Sequence, residues 1–105
     1  MISRIWHGWT TLENAEPYES LLKSEILIGI QNRQIKGFKG IQLLRRNLGD
    51  EIEFVTIMWF DSIEAVQAFA GEKYEVAVVP AKARSLLSRF DSHSQHYEVK
   101  DEIKA

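Results

Sequence analysis

Three histidines, His7, His93 and His96, are the side chains in this 105-residue chain that titrate near neutral pH when unperturbed. A general base or a metal site would draw on them. A metal needs two or three converging ligands, usually with a carboxylate. His93 and His96 are three apart, so in a strand they face opposite sides, and only a neighbouring first strand would let one of them meet His7. The ordinary role of such residues is an edge histidine bonded to backbone or water, and no metal is expected. The chain has no cysteine, which excludes disulfides, thiolate catalysis and cysteine-ligated metals within it.

Aromatic residues offer a second kind of chemistry. Trp9, Tyr18, Trp59, Phe69 and Tyr74, with Leu22, could give flat apolar walls suited to an aromatic ligand, although residues of these types also build cores and interfaces. In a first strand His7 and Trp9 share one side while Arg4 and Trp6 share the other, so one set lines a pocket and the other faces outward. Glu51 with Glu53, and Glu98 with Lys100, lie near strand ends and read as solvated charges. Arg45, Arg46, Lys36 and Lys39 read as ordinary polar surface.

The elements that must position these groups are legible in outline. Ile2 to Thr10 reads as a strand, with Gly8 marking a bulge or a close neighbour. Asn14 or Thr11 can cap a helix that takes Pro17 in its first turn, carries Tyr18, Leu21, Leu22 and Ile26 on one face, and stops near Gly29. Ile41 to Arg46 reads as a second strand, joined through Leu48-Gly49-Asp50 to a third over Glu51 to Phe60. Asp61 and Ser62, with Glu64, cap a helix that buries Ile63, Val66 and Phe69 and ends at Gly71. The stretch 72–79 gives no clear signal, Pro80 can open a further helix, Ser92 to Val99 is the last strand, and 100–105 is a loose charged tail.

This order, β-α-β-β-α-β, is the ferredoxin-like α+β arrangement, a single domain with a four-stranded antiparallel sheet and its helices on one face. The run from Ile52 to Phe60 is apolar without alternation, so both of its faces need cover, and two helices supply only one. A homodimer packed through the open sheet face is the expected remedy. A formal net charge of −2 argues against a nucleic-acid partner. The absence of a long apolar run argues against a membrane span, and a cytoplasmic location is expected.

Arg4-Ile5-Trp6-His7-Gly8, Gly37-Phe38-Lys39-Gly40, Phe54 to Ser62 with Glu64-Ala65, Phe69-Ala70-Gly71 and His96-Tyr97-Glu98-Val99 together resemble the antibiotic biosynthesis monooxygenase family of the dimeric α+β barrel superfamily. The resemblance spans nearly the whole chain. It implies a homodimer with a pocket between sheet and helices in each protomer, and a cofactor-independent oxygenase acting on a small aromatic or quinol-type substrate. A non-catalytic small-molecule-binding or stress-related homodimer is the alternative. Such an oxygenase needs a base, for which His7 and His96 are the candidates, and an anion-stabilising donor, for which Arg4 and Arg45 are. The haem-degrading branch of the family uses an asparagine, a tryptophan and a histidine at positions that appear here as Ile5, Phe69 and Val79, so haem chemistry is not expected. The match of Ile5 to a pocket position turns His7 and Trp9 toward the pocket.

Overall fold

The computed structural model describes residues 1–105. Strand β1, Ile2–Thr11, pairs antiparallel with β3, Glu51–Phe60, along its full length from Ile2↔Phe60 to Thr11↔Glu51. Strand β2, Phe38–Asn47, pairs with β3 across the expected hairpin and begins three residues before the predicted Ile41, with a register shift between Phe38 and Gly40.

Between β1 and β2 runs a helix in three segments: α1, Ala15–Leu21, a π-helical turn over Leu22–Ile26, and α2, Leu27–Asn32. The helix ends at Asn32, within a turn of Gly29 as expected, although Gly29 itself stays helical. The chain leaves the helix only at Arg33, and Gln34 rather than glycine takes the left-handed conformation that follows, at φ 49°.

Helix α3, Ile63–Ala70, follows β3 directly. Ser62 is its cap, its hydroxyl accepting from the amide of Ala65 at 3.3 Å, and Gly71 at φ 90° ends it. Residues 72–80 have no helix, only turns and one bridge between Val76 and His93. Pro80 then opens α4, Ala81–Leu86. The single last strand predicted over 92–99 is two pieces, β4, Arg89–Phe90, and β5, Gln95–Glu98, both on the free edge of β1. Phe90 pairs with Gly8 and Gln95 with Ile5, so the four residues 91–94 span only Trp6 and His7. This surplus bends the strand inward, and it puts Ser94 at the buried end of the site described below.

The helices cover one face of the sheet. Arg4, Trp6, Gly8 and Thr10 of β1 face them, beside Ile52, Phe54, Met58 and Phe60 of β3. Two clusters fill the space. One joins Tyr18 and Leu22 to Phe54 and Ala83, and the other joins Phe60 and Met58 to Ala65 and Val66. The sheet's other face is bare, with Ile5, Val55, Ile57 and Trp59 half-buried and Leu44 exposed. No helix is long and apolar enough to cross a membrane.

Candidate functional site

The site begins with the alternation of β1. Its helix-facing residues read charged, aromatic and small in turn: Arg4, Trp6, Gly8. The Trp6 ring lies over Gly8, where a Cβ would come within 2.6 Å of its Cη2, so only glycine leaves room for the indole in this position. The indole Nε1 donates to the carbonyl of Asp91 at 2.7 Å, which anchors the ring to the bent last strand.

Above Arg4 and Trp6 lies a cavity of about 70 Å³, with hydrophobic side chains at twelve of its sixteen lining residues. Thr56 and Met58 complete its floor. Tyr18, Leu22 and Ile26 form the helical wall, and Leu22 to Ile26 is the π-helical turn, a local widening of the helix that recurs at functional sites. Phe69 closes one side, and Val78, Val79 and Pro80 cover the top.

Arg4 is the charged group in this setting. Its residue is 3 % exposed, and it donates from Nη1 to the carbonyl of Tyr74 and from Nη2 to that of Val76 at 3.4 Å. Nη1 also lies 2.9 Å from Nε2 of His96, and the guanidinium stands 5.5 Å from the centre of the Phe69 ring. Among its ion pairs the molecule has none to Arg4. Burial pushes its pKa down to about 10. The cation is thus desolvated and held by neutral acceptors, an arrangement that leaves its charge available to an anion.

His96 is kept neutral. Burial lowers its pKa, and the neighbouring Arg4 cation lowers it further, against a smaller opposing effect of Glu75. Its Nε2 must then be the acceptor facing Arg4, which leaves Nδ1 protonated. Tyr74 sets its ring edge-on to the imidazole at 5.1 Å.

The predicted site residues divide. Tyr18, Leu22 and Phe69 line the cavity. Tyr74 does not line it; its carbonyl accepts from Arg4. His96 contacts Arg4 from outside the lining, and no histidine lines the cavity itself.

The facing of β1 is the reverse of the expected one. His7 and Trp9 stand on the bare sheet face, where their rings stack at 6.1 Å, and Trp59 shares that face. There His7 Nδ1 pairs with Glu53 at 3.0 Å, and the Glu53 carboxyl is held below its usual range by Arg46 first and His7 second. Arg89 covers the Trp9 ring at 4.0 Å. Ile5 likewise points away from the cavity, and Trp6 holds the position it was thought to hold. Arg45, the other anion-stabilising candidate, is tied to Glu16 and Glu19 at 2.8 Å each.

Sequence reasoning missed Trp6, Ser94 and the cover from Val78 to Pro80 as lining. One signal was present: a glycine two residues from a tryptophan on one strand face gives that ring somewhere to lie.

A scan against protein-family models and a search of curated proteins each found no match. Solved structures do match. One from Bacillus cereus, bearing the name antibiotic biosynthesis monooxygenase, superposes with TM-score 0.70 at 14 % identity, over 99 % of this chain and 97 % of that one. SnoaB from Streptomyces nogalater, a cofactor-independent oxygenase, gives 0.61 at 18 %, over 99 % and 98 %. MhuD from Mycobacterium tuberculosis, a haem degrader with two haems bound in its active site, gives 0.62 at 22 %, over 99 % and 100 %. At these identities the likeness is one of fold. The chain has the ferredoxin-like α+β fold of antibiotic biosynthesis monooxygenase-type structures, and the family that its sequence resembles is the one to which its structural neighbours point.

Proposed function

We propose that the cavity binds a small aromatic or quinol-type molecule as its oxyanion, and that the protein acts on it as a cofactor-independent monooxygenase. The observation that supports this reading is Arg4, a buried guanidinium with no carboxylate partner at the wall of an apolar cavity. An electron-rich substrate that loses a proton becomes an anion able to react with oxygen directly. At an activated methylene, CH2 becomes C=O, one oxygen atom enters the product, the other leaves as water, and the substrate supplies all four electrons. A fixed cation in a dry site stabilises the anion on which this depends. His96 can take the proton once Arg4 turns from it to the bound oxyanion.

The cavity as it stands is small. An apolar cavity of about 150 Å³ accommodates benzene, so a one-ring ligand requires the site to widen. The cover over 72–80 can yield, being joined to the segment between β4 and β5 by two backbone hydrogen bonds, the Ala77 amide donating to the Ser92 carbonyl and the Ser94 amide to the Glu75 carbonyl. Haem is the poorer fit, since ordinary ligand clefts of roughly 300–1,000 Å³ exceed this cavity several-fold and Trp6, Phe69 and Val79 occupy the lining.

In this reading the working unit is a homodimer. Ile5, Val55, Ile57, Trp59 and Leu44 form an apolar sheet face that a second copy would cover.

A second reading is a ligand-binding dimer without turnover. It is favoured by the lone pair of His96, which Arg4 already engages, so that no free base is poised. Oxygen uptake measured against a panel of hydroquinones and anthrones separates the two. The monooxygenase reading expects uptake with at least one compound and its loss in Arg4→Met. Binding without uptake across the panel would favour the second reading.

A further inference from the structure

Tyr18 is one of the polar side chains that line the cavity, with Arg4, Trp6, Thr56 and Ser94, and no group of the chain bonds its hydroxyl. The residue is 2 % exposed and lines the cavity, with its ring packed on Phe54 at 4.8 Å. Its hydroxyl forms none of the side-chain hydrogen bonds of the molecule, whereas Trp6 Nε1 and both terminal nitrogens of Arg4 are engaged. The one side-chain oxygen that is both sealed from solvent and unpartnered is Thr10 Oγ1. The Tyr18 hydroxyl is unpartnered without being sealed, and the residue that carries it lines the cavity. Leaving such a group unpaired is costly, and a ligand acceptor would relieve that cost.

Its position adds a second constraint. Phe54, against which Tyr18 packs, pairs with Gly8 in the sheet, four residues along β1 from Arg4. Four residues of strand rise roughly 13 Å. Tyr18 thus packs beside the Gly8 level of the sheet while Arg4 stands one level beyond Trp6, so the two line the cavity from different strand levels. Burial raises the Tyr18 pKa far above the working range, so the phenol stays protonated and acts as a donor.

We infer that Tyr18 is a specificity-determining donor, and that the ligand carries a neutral oxygen acceptor, such as a ketone or aldehyde carbonyl, at the end opposite its ionised oxygen. A para-substituted ring with a carbonyl at one end and a phenolate at the other has this form. The inference rests on the proposed anion site at Arg4 for one end of the ligand and on Tyr18 alone for the other.

Two probes test it: 4-hydroxybenzaldehyde, which carries both oxygens, and 4-ethylphenol, which lacks the carbonyl. Their affinities are measured by calorimetry with the wild-type chain, Tyr18→Phe and Arg4→Met. The expected result is that Tyr18→Phe weakens the aldehyde about tenfold and changes 4-ethylphenol less than twofold. Thermal unfolding checks that Tyr18→Phe is folded, and its midpoint is expected to equal or exceed wild type because the lost hydroxyl had no partner. Equal loss of both probes, no loss of the aldehyde, or failure of wild type to bind either at millimolar concentration would overturn the inference. Arg4→Met judges the anion site separately. If it leaves both affinities unchanged, the Arg4 reading fails whatever Tyr18→Phe does.

Discussion

Arg4 donates from Nη1 toward Nε2 of His96 across 2.9 Å, joining the first strand of the sheet to the last, at a place where neither side chain has a carboxylate partner. The bond ties a buried cation to a histidine that must stay neutral to accept from it. Protonation of His96 breaks the contact and sets two cations side by side.

This coupling predicts a pH dependence with a definite sign. The folded-state pKa of His96 is depressed by burial and by Arg4, so the unfolded chain binds the proton more readily. The stability it contributes is complete above the unfolded value near 6.5 and declines as pH falls through that value toward the lower folded one. Thermal midpoints from pH 7.5 to 5 should fall for wild type, and less steeply for His96→Gln. Identical slopes would refute the coupling.

Gly8→Ala should destabilise the protein by about 1–3 kcal/mol. The new Cβ meets Cη2 of Trp6 at 2.6 Å and Cδ2 of Leu87 at 3.1 Å, so the indole must move off its bond to the Asp91 carbonyl. Urea unfolding measures the loss, and a change in tryptophan emission reports the displaced ring. A variant as stable as wild type would mean that the ring has another place to go.

Removing Arg4 should also loosen the cover of the cavity. Its guanidinium holds the carbonyls of Tyr74 and Val76, and the neighbouring bridge consists of two backbone hydrogen bonds, from the Ala77 amide to Ser92 and from the Ser94 amide to Glu75. In Arg4→Met, hydrogen exchange at Ala77 and Ser94 should quicken while that of β3 stays near wild type. Unchanged exchange at these two amides would show that the cover is held by packing alone.

The bare sheet face gives a prediction about assembly. Ile57→Lys places a charge amid Ile5, Val55 and Trp59, and should convert a dimer to a monomer with little change in the fold. Sedimentation at micromolar concentration decides. A wild-type monomer would remove the proposed role of this face.

Much of the fold follows from local signals. The apolar stripe of Tyr18, Leu22 and Ile26 does face the cavity, though over Leu22–Ile26 the helix widens to a π turn, and the turn at 48–50 and the Ser62 cap form where their residue types direct. The site was harder to read. With a tryptophan on each face of β1, hydrophobic alternation carried no sign of which side meets the helices. The deciding feature is the fit of Trp6 over Gly8, a tertiary contact. The segment 72–80 was opaque for a related reason: Val78 and Val79 join no strand and pack over a cavity whose floor includes Arg4 and Trp6, some seventy residues earlier. Arg4 was legible as an anion-stabilising candidate, but its isolation from every carboxylate emerges only when the strands are assembled.

The central claim, that Arg4 holds an oxyanion in the cavity, is tested most directly by the ionisation of a bound phenol. Titrating 4-nitrophenol in the presence of saturating protein, and following the phenolate by absorbance, gives its pKa in the site. The account predicts a bound pKa at least one unit below that of the free phenol for wild type, and at or above the free value in Arg4→Met, where only the apolar surroundings act. A bound pKa unchanged or raised in wild type would contradict it.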